Sequence, residues 1–132
     1  MIMTEELVTL ETAKLLKAAG FKEDVSSFYE LVYKGGSGPE YEIDESYDAQ
    51  NYNTDVYSIS APTQSIAQKW LRETKNLHIT IYNSASGYTY DISKADMGTV
   101  LYCFPEGPND GGNWDTYEEA LEAGIIKALK LI

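Results

Sequence analysis

The chain has 132 residues, 43% of them hydrophobic and 23% charged, a length and composition suited to one folded domain that buries about two thirds of the surface its unfolded chain exposes. Its 21 acids against 10 bases leave a formal net charge of −11. A surface of that sign repels phosphate and argues against nucleic acid or an anionic membrane as partner. With Cys103 as the one cysteine an internal disulfide is excluded, and a small buried hydrophobe in a reducing compartment is expected. The first residues lack a signal-peptide pattern, and no apolar run approaches the roughly 20 residues needed to span a bilayer. A cytoplasmic protein is therefore expected.

In chain order, the first expected helix covers residues 9–20. Thr9 is placed to cap it, Leu10, Ala13, Leu15, Leu16 and Ala19 supply its apolar positions, and Gly20-Phe21 has the composition of a Schellman stop. The segment Thr9-Leu10-Glu11-Thr12-Ala13-Lys14-Leu15-Leu16 resembles the opening helix of an excisionase-type helix-turn-helix. Lys17-Ala18-Ala19 separates the double leucine from Gly20, however, and no basic recognition helix follows. An amphipathic helix remains.

Phe28–Tyr33 and Tyr41–Asp44 read as strands joined across the Gly-rich tip Lys34–Pro39. That tip lacks the Gly-Lys-Ser/Thr ending of a phosphate loop. From Glu40 to Asp55 acids interleave with Tyr41, Tyr47 and Tyr52, and no Lys or Arg occurs between Lys34 and Lys69. The plain reading of this stretch is a solvated loop. The sharper one is a recognition surface, with Tyr41, Tyr47, Asp48, Tyr52 and Asp55 as its binding residues, because tyrosine offers rigid contact area at low entropic cost.

Val56–Ser60 alternates like a strand and leads into a helix over 62–75, with Ser60 as its possible cap and Pro62 in its first turn. Ile66, Ala67, Trp70 and Leu71 share one face of this helix. Leu77, Ile79 and Ile81 then share one face of a strand, Asn83–Gly87 has turn chemistry, and Tyr88–Ile92 returns antiparallel. A third strand, Val100–Phe104, follows a break at Asp96–Thr99. After a loop of Pro, Gly, Asn and Asp, Thr116-Tyr117-Glu118-Glu119 forms a capping box that starts a helix over 116–131. Its apolar stripe includes Leu121 and Ile125, and Gly124 inside it suggests close approach to a neighbour.

Reaction chemistry is sparsely provided. His78 is the only histidine, and its neighbours in sequence offer neither nucleophile nor metal ligand. No serine sits in a Gly-x-Ser-x-Gly elbow. A zinc site needs about four N or S ligands. Asp110, Asn113 and Asp115 lie in a Gly-rich loop but lack the alternating spacing and closing Glu of a calcium loop. No cofactor or metal is expected.

Two segments, Ser60–Glu73 (SAPTQSIAQKWLRE) and Trp114–Gly124 (WDTYEEALEAG), resemble small uncharacterised proteins of gut-bacterial and prophage genomes. The resemblance covers most of the chain and is weakest over Asp24–Asp55. It implies a phage-associated setting and carries no catalytic residues.

Together these readings predict a single α+β domain over 1–132: an antiparallel sheet with two amphipathic helices on one face, plus an N-terminal helix. Ile66, Trp70, Leu71, Ile79, Ile81, Leu121 and Ile125 are its expected core. The expected function is a non-catalytic protein-binding module of phage or prophage type with a protein partner. The alternatives are an acidic DNA mimic that occupies a nuclease or regulator, and a small enzyme using His78.

Overall fold

A computed structural model describes residues 3–36, 38–95 and 99–132. Ser37 of the glycine-rich tip and most of the expected break at Asp96–Thr99 lie outside the described residues. The fold is α+β, with three α-helices and two three-stranded antiparallel sheets among the described residues. The described chain forms two compact units. One is Leu7–Thr63, and the other is Gln64–Ile132 together with the N-terminal residues up to Glu6.

In the first unit, helix α1 (Leu10–Ala18) starts at Thr9, whose hydroxyl accepts from the Thr12 amide. It ends as its composition implies. Gly20 has φ +95°, its amide donates to Lys17 O, and the Phe21 amide donates to Leu16 O, which is the Schellman pattern. Leu16 and Phe21 are both buried, with Val8, Thr12 and Ala13.

The unit's sheet has the order β2-β1-β3, formed by β1 (Val25–Tyr33), β2 (Pro39–Gln50) and β3 (Ser58–Ser60). Val25, Ile59 and Ala61 complete its core. Strand β2 thus occupies most of the stretch expected as a loop. Its 12 residues pair along β1 from Pro39↔Tyr33 to Glu45↔Ser27, and the register shifts before Val25↔Gln50.

Ser60 does not cap the next helix. It is buried, its hydroxyl accepts from the Tyr52 amide at 3.0 Å, and its own amide donates to Asn53 Oδ1 at 2.8 Å. The helix begins four residues later, beyond the reach of a capping hydroxyl.

In the second unit, helix α2 (Gln64–Lys75) buries Gln64, Ala67, Trp70 and Leu71. Ile66 does not belong to the core: at 100° per residue it falls on the flank of that stripe and is 43% exposed. The second sheet has the order β4-β5-β6, formed by β4 (His78–Ser84), β5 (Gly87–Lys94) and β6 (Thr99–Tyr102). Ile79, Tyr90 and Ile92 are buried, whereas Ile81 is half-buried.

Helix α3 (Tyr117–Lys130) packs on β5, β4 and α2, burying Leu121, Ile125 and Ala128. Thr116 caps it by accepting from the Glu119 amide at 3.1 Å, and the Glu119 carboxylate accepts from the Thr116 hydroxyl at 2.9 Å. Gly124 lies where the helix approaches the sheet. A methyl there would stand 2.9 Å from Ile79 Cγ2 and 3.2 Å from Tyr90 Cγ.

Beneath the helix, Tyr90 packs its ring against Tyr102 and Trp114 at centroid distances of 6.1 and 5.7 Å. Burial, then the charges of Tyr102 and Glu106, push its phenol up to about 12. Cys103 is exposed rather than buried, since β6 ends at Tyr102 and releases the next residue from the sheet.

Candidate protein-binding surface

The pleat of the β1–β2 hairpin sorts its side chains into two chemically different faces, since successive residues point to opposite sides of a sheet. On one face, Tyr29 pairs with Ile43, Leu31 with Tyr41, and Tyr33 with Pro39. Helix α1 serves this face. Lys14 Nζ stands 5.1 Å from the Tyr41 ring centroid, and Tyr29 Oη donates to Val8 O at 2.9 Å. The apolar and aromatic character continues into solvent, with Tyr33 72% and Ile43 51% exposed.

The opposite face carries Glu40, Glu42 and Asp44, exposed at alternate positions of β2, across from Val32, Glu30 and Phe28 of β1. Glu30 stands directly across from Glu42. Like charges directly opposite destabilise a sheet by a few tenths of a kcal/mol to about 1 kcal/mol. Lys34 forms an ion pair with Glu42 and offsets part of that repulsion.

The residues expected to bind separate into two groups. Tyr47 is fully exposed and Asp48 is exposed, in the part of β2 where the register shifts. Tyr41 contributes to the aromatic face. Tyr52 and Asp55 instead hold the loop between β2 and β3. The Tyr52 ring stacks on Phe28 at 4.1 Å with an interplanar angle of 15°, and its hydroxyl donates to Asp48 O at 3.4 Å. Asp55 Oδ1 accepts from the amides of Tyr57 and Ser58 at 2.7 and 3.0 Å. The Lys17 ammonium donates to the carbonyls of Asp55 and Ser58. These contacts commit both residues to loop structure. Tyr33, Ile43, Glu40, Glu42 and Asp44 are not among the residues expected to bind, yet they are exposed on the same hairpin. Strict alternation over Glu40-Tyr41-Glu42-Ile43-Asp44 is the sequence signal that marks the last four.

The other candidates are engaged differently. His78 Nε2 is 3.0 Å from Asn76 Oδ1, a carboxamide that cannot relay a proton, and its cross-strand neighbour is Ser93. Asn113 is buried and donates to Ser84 Oγ at 2.5 Å, while Asp115 accepts from Asn109 Nδ2 at 2.7 Å. Two of the three loop residues considered for a cation are thus turned to different partners. Among the described residues no group of three His, Cys, Asp or Glu gathers to hold a metal, and no helix is long and apolar enough to cross a membrane. Compared with protein-family models, curated proteins and solved structures, the chain matches none of them.

Proposed function

We propose that the protein is a non-catalytic protein-binding module and that the β1–β2 hairpin is its recognition surface. The observation that carries this reading is the exposure of Tyr33, Ile43 and Tyr47 on a hairpin that also exposes Glu40, Glu42, Asp44, Glu45 and Asp48. Exposed aromatic rings serve as anchors in interfaces, and the surrounding charges select the partner and speed encounter. The resemblance to gut-bacterial and prophage proteins suggests a phage-associated setting for that partner.

Affinity capture with the folded chain as bait, beside a Tyr33→Ser/Tyr47→Ser bait, tests the reading. Both substitutions lie on the exposed hairpin, so the fold should be retained. The expected result is a partner held by the unaltered bait and lost from the variant. Equal retention by both baits would refute the assignment of the surface.

A second reading, an acidic decoy that presents carboxylates to a nuclease or regulator in place of phosphates, has one observation in its favour. Glu40, Glu42 and Asp44 recur on one face of β2, at a spacing of about 6.7 Å set by strand geometry. Competition between the chain and duplex DNA for the captured partner would separate the two, since only the decoy requires mutual exclusion.

A further inference from the structure

The position of β2 in its sheet narrows the partner's chemistry. Strand β2 is terminal in the order β2-β1-β3, so among the described residues only one of its two long sides is paired, and that side is taken by β1. In an antiparallel pair the backbone groups that do not face the partner strand point the other way. Along Pro39–Asp44 these groups form an open edge on a strand whose side chains are nearly all exposed, with Tyr41 half-buried, and beyond it the Glu45 amide donates to Asp44 Oδ1 at 2.8 Å. Folded proteins usually cover, shorten, interrupt or charge such an edge; the acids of β2 guard it against unselected strands, so a strand that joins it must bring the opposite charge.

We propose that the outer edge of β2 receives an extended segment of another protein by strand addition, and that this segment alternates basic with apolar residues. The inference rests on the reading of the hairpin as a binding surface and specifies how that surface is used. Strand addition draws affinity from main-chain hydrogen bonds and specificity from alternate side chains. A strand laid beside Pro39–Asp44 sets every second side chain beside Glu40, Glu42 and Asp44, and the intervening ones beside Tyr41 and Ile43. The first set calls for Lys or Arg and the second for Val, Ile or an aromatic residue.

The Glu30–Glu42 opposition supports the basic half of the pattern. Lys34 is the cation that the structure places on Glu42, and a second cation from an added strand would relieve the remaining repulsion. A second copy of the chain fits poorly, because two β2 edges side by side bring acids against acids. The absence of any Lys or Arg between Lys34 and Lys69 deprives the segment of charges that would offset them.

The test uses the full chain and a labelled, end-blocked octapeptide of alternating Lys and Val. Three control peptides accompany it: one with its lysines and valines in separate blocks, one with a central Val replaced by Pro, and one alternating Glu and Val. Fluorescence anisotropy measures binding, and amide hydrogen exchange locates it. The alternating Lys-Val peptide should bind at least about tenfold more tightly than each control and slow exchange within Pro39–Asp44. A Glu40→Lys/Glu42→Lys/Asp44→Lys chain, its fold checked by circular dichroism, should reverse the preference toward the Glu-Val peptide. If that variant unfolds, the peptide series on the unaltered chain decides.

Equal binding of the block or proline peptide would overturn strand addition in favour of diffuse charge attraction. Absence of binding, or binding without slowed exchange in β2, would overturn it as well. So would self-association of the chain alone, seen by sedimentation, that protects β2 without peptide. If the peptides fail while Tyr33→Ser/Tyr47→Ser still abolishes partner capture, strand addition falls and the broader assignment of the surface stands.

Discussion

The nine residues of β1 and the twelve of β2 contain one buried side chain, Val25, whereas the eight residues of β5 contain three, Thr89, Tyr90 and Ile92. The difference follows from what covers each sheet. Helix α3 lies across β5 and β4 and approaches closely enough to require Gly124, covering Ile79, Tyr90 and Ile92 on the inner face of that sheet, while Thr89 is buried on the opposite face. In the other unit α1 is a helix of nine residues, and Tyr33 and Ile43 are left open on the face it serves. One sheet is a wall of a core; the other carries chemistry outward. Burial of the first marks it as a source of stability, and exposure of the second is what supports the proposal that it serves recognition.

Truncations in the two sheets should therefore differ most. Ile92→Ala removes a fully buried side chain and should cost about 2–5 kcal/mol, while Ile43→Ala should stay within roughly 0.5 kcal/mol. Denaturant unfolding of both variants measures the contrast. A cost at Ile43 comparable to that at Ile92 would break the comparison.

A smaller effect is expected from pH. Tyr90 in the folded chain holds its proton to about pH 12, while an unfolded tyrosine ionises near 10. Unfolding between those values releases a proton, so the contribution is complete below about pH 10 and falls as pH rises toward about 12. Tyr90→Phe should flatten that part of the stability profile and remove the latest phase of the tyrosinate absorbance titration. An unchanged profile would contradict the assigned burial.

The smallest effect concerns the acidic face. Glu30→Gln removes one member of the Glu30–Glu42 opposition and leaves the Lys34–Glu42 pair intact. It should stabilise the chain by a few tenths of a kcal/mol to about 1 kcal/mol at low salt. The gain should shrink at high salt as screening weakens the repulsion. A destabilised variant would show that the two carboxylates do not oppose each other.

The core was the most legible part of the chain. Trp70, Leu71, Leu121 and Ile125 announce themselves by helical spacing because burial imposes its period on apolar residues, and all four are buried. Ile66 misled because a stripe of spacing three and four leaves its flanking positions ambiguous by about 100°. Strand β2 was partly hidden for a related reason. Its first part, Glu40–Asp44, alternates and reads as strand, but Glu45–Gln50 lacks apolar alternation because both faces reach solvent, so its acids and the Asn-rich exit read as loop. Tyr52 and Asp55 show the other limit. Composition placed them in a recognition segment, but only tertiary contacts to Phe28, Lys17 and the backbone commit them to holding the loop.

The close approach at Gly124 also bears on how such a chain can change over generations. Any side chain larger than hydrogen must displace Ile79 or Tyr90, so drift at that position is penalised through the core whatever the protein binds. Pro39–Glu45 carries no such constraint, with its side chains open to solvent or, at Tyr41, half-buried. If the hairpin is the binding surface proposed above, substitutions there would be free to track a changing partner, and binding preference could be exchanged one strand residue at a time on an inherited scaffold.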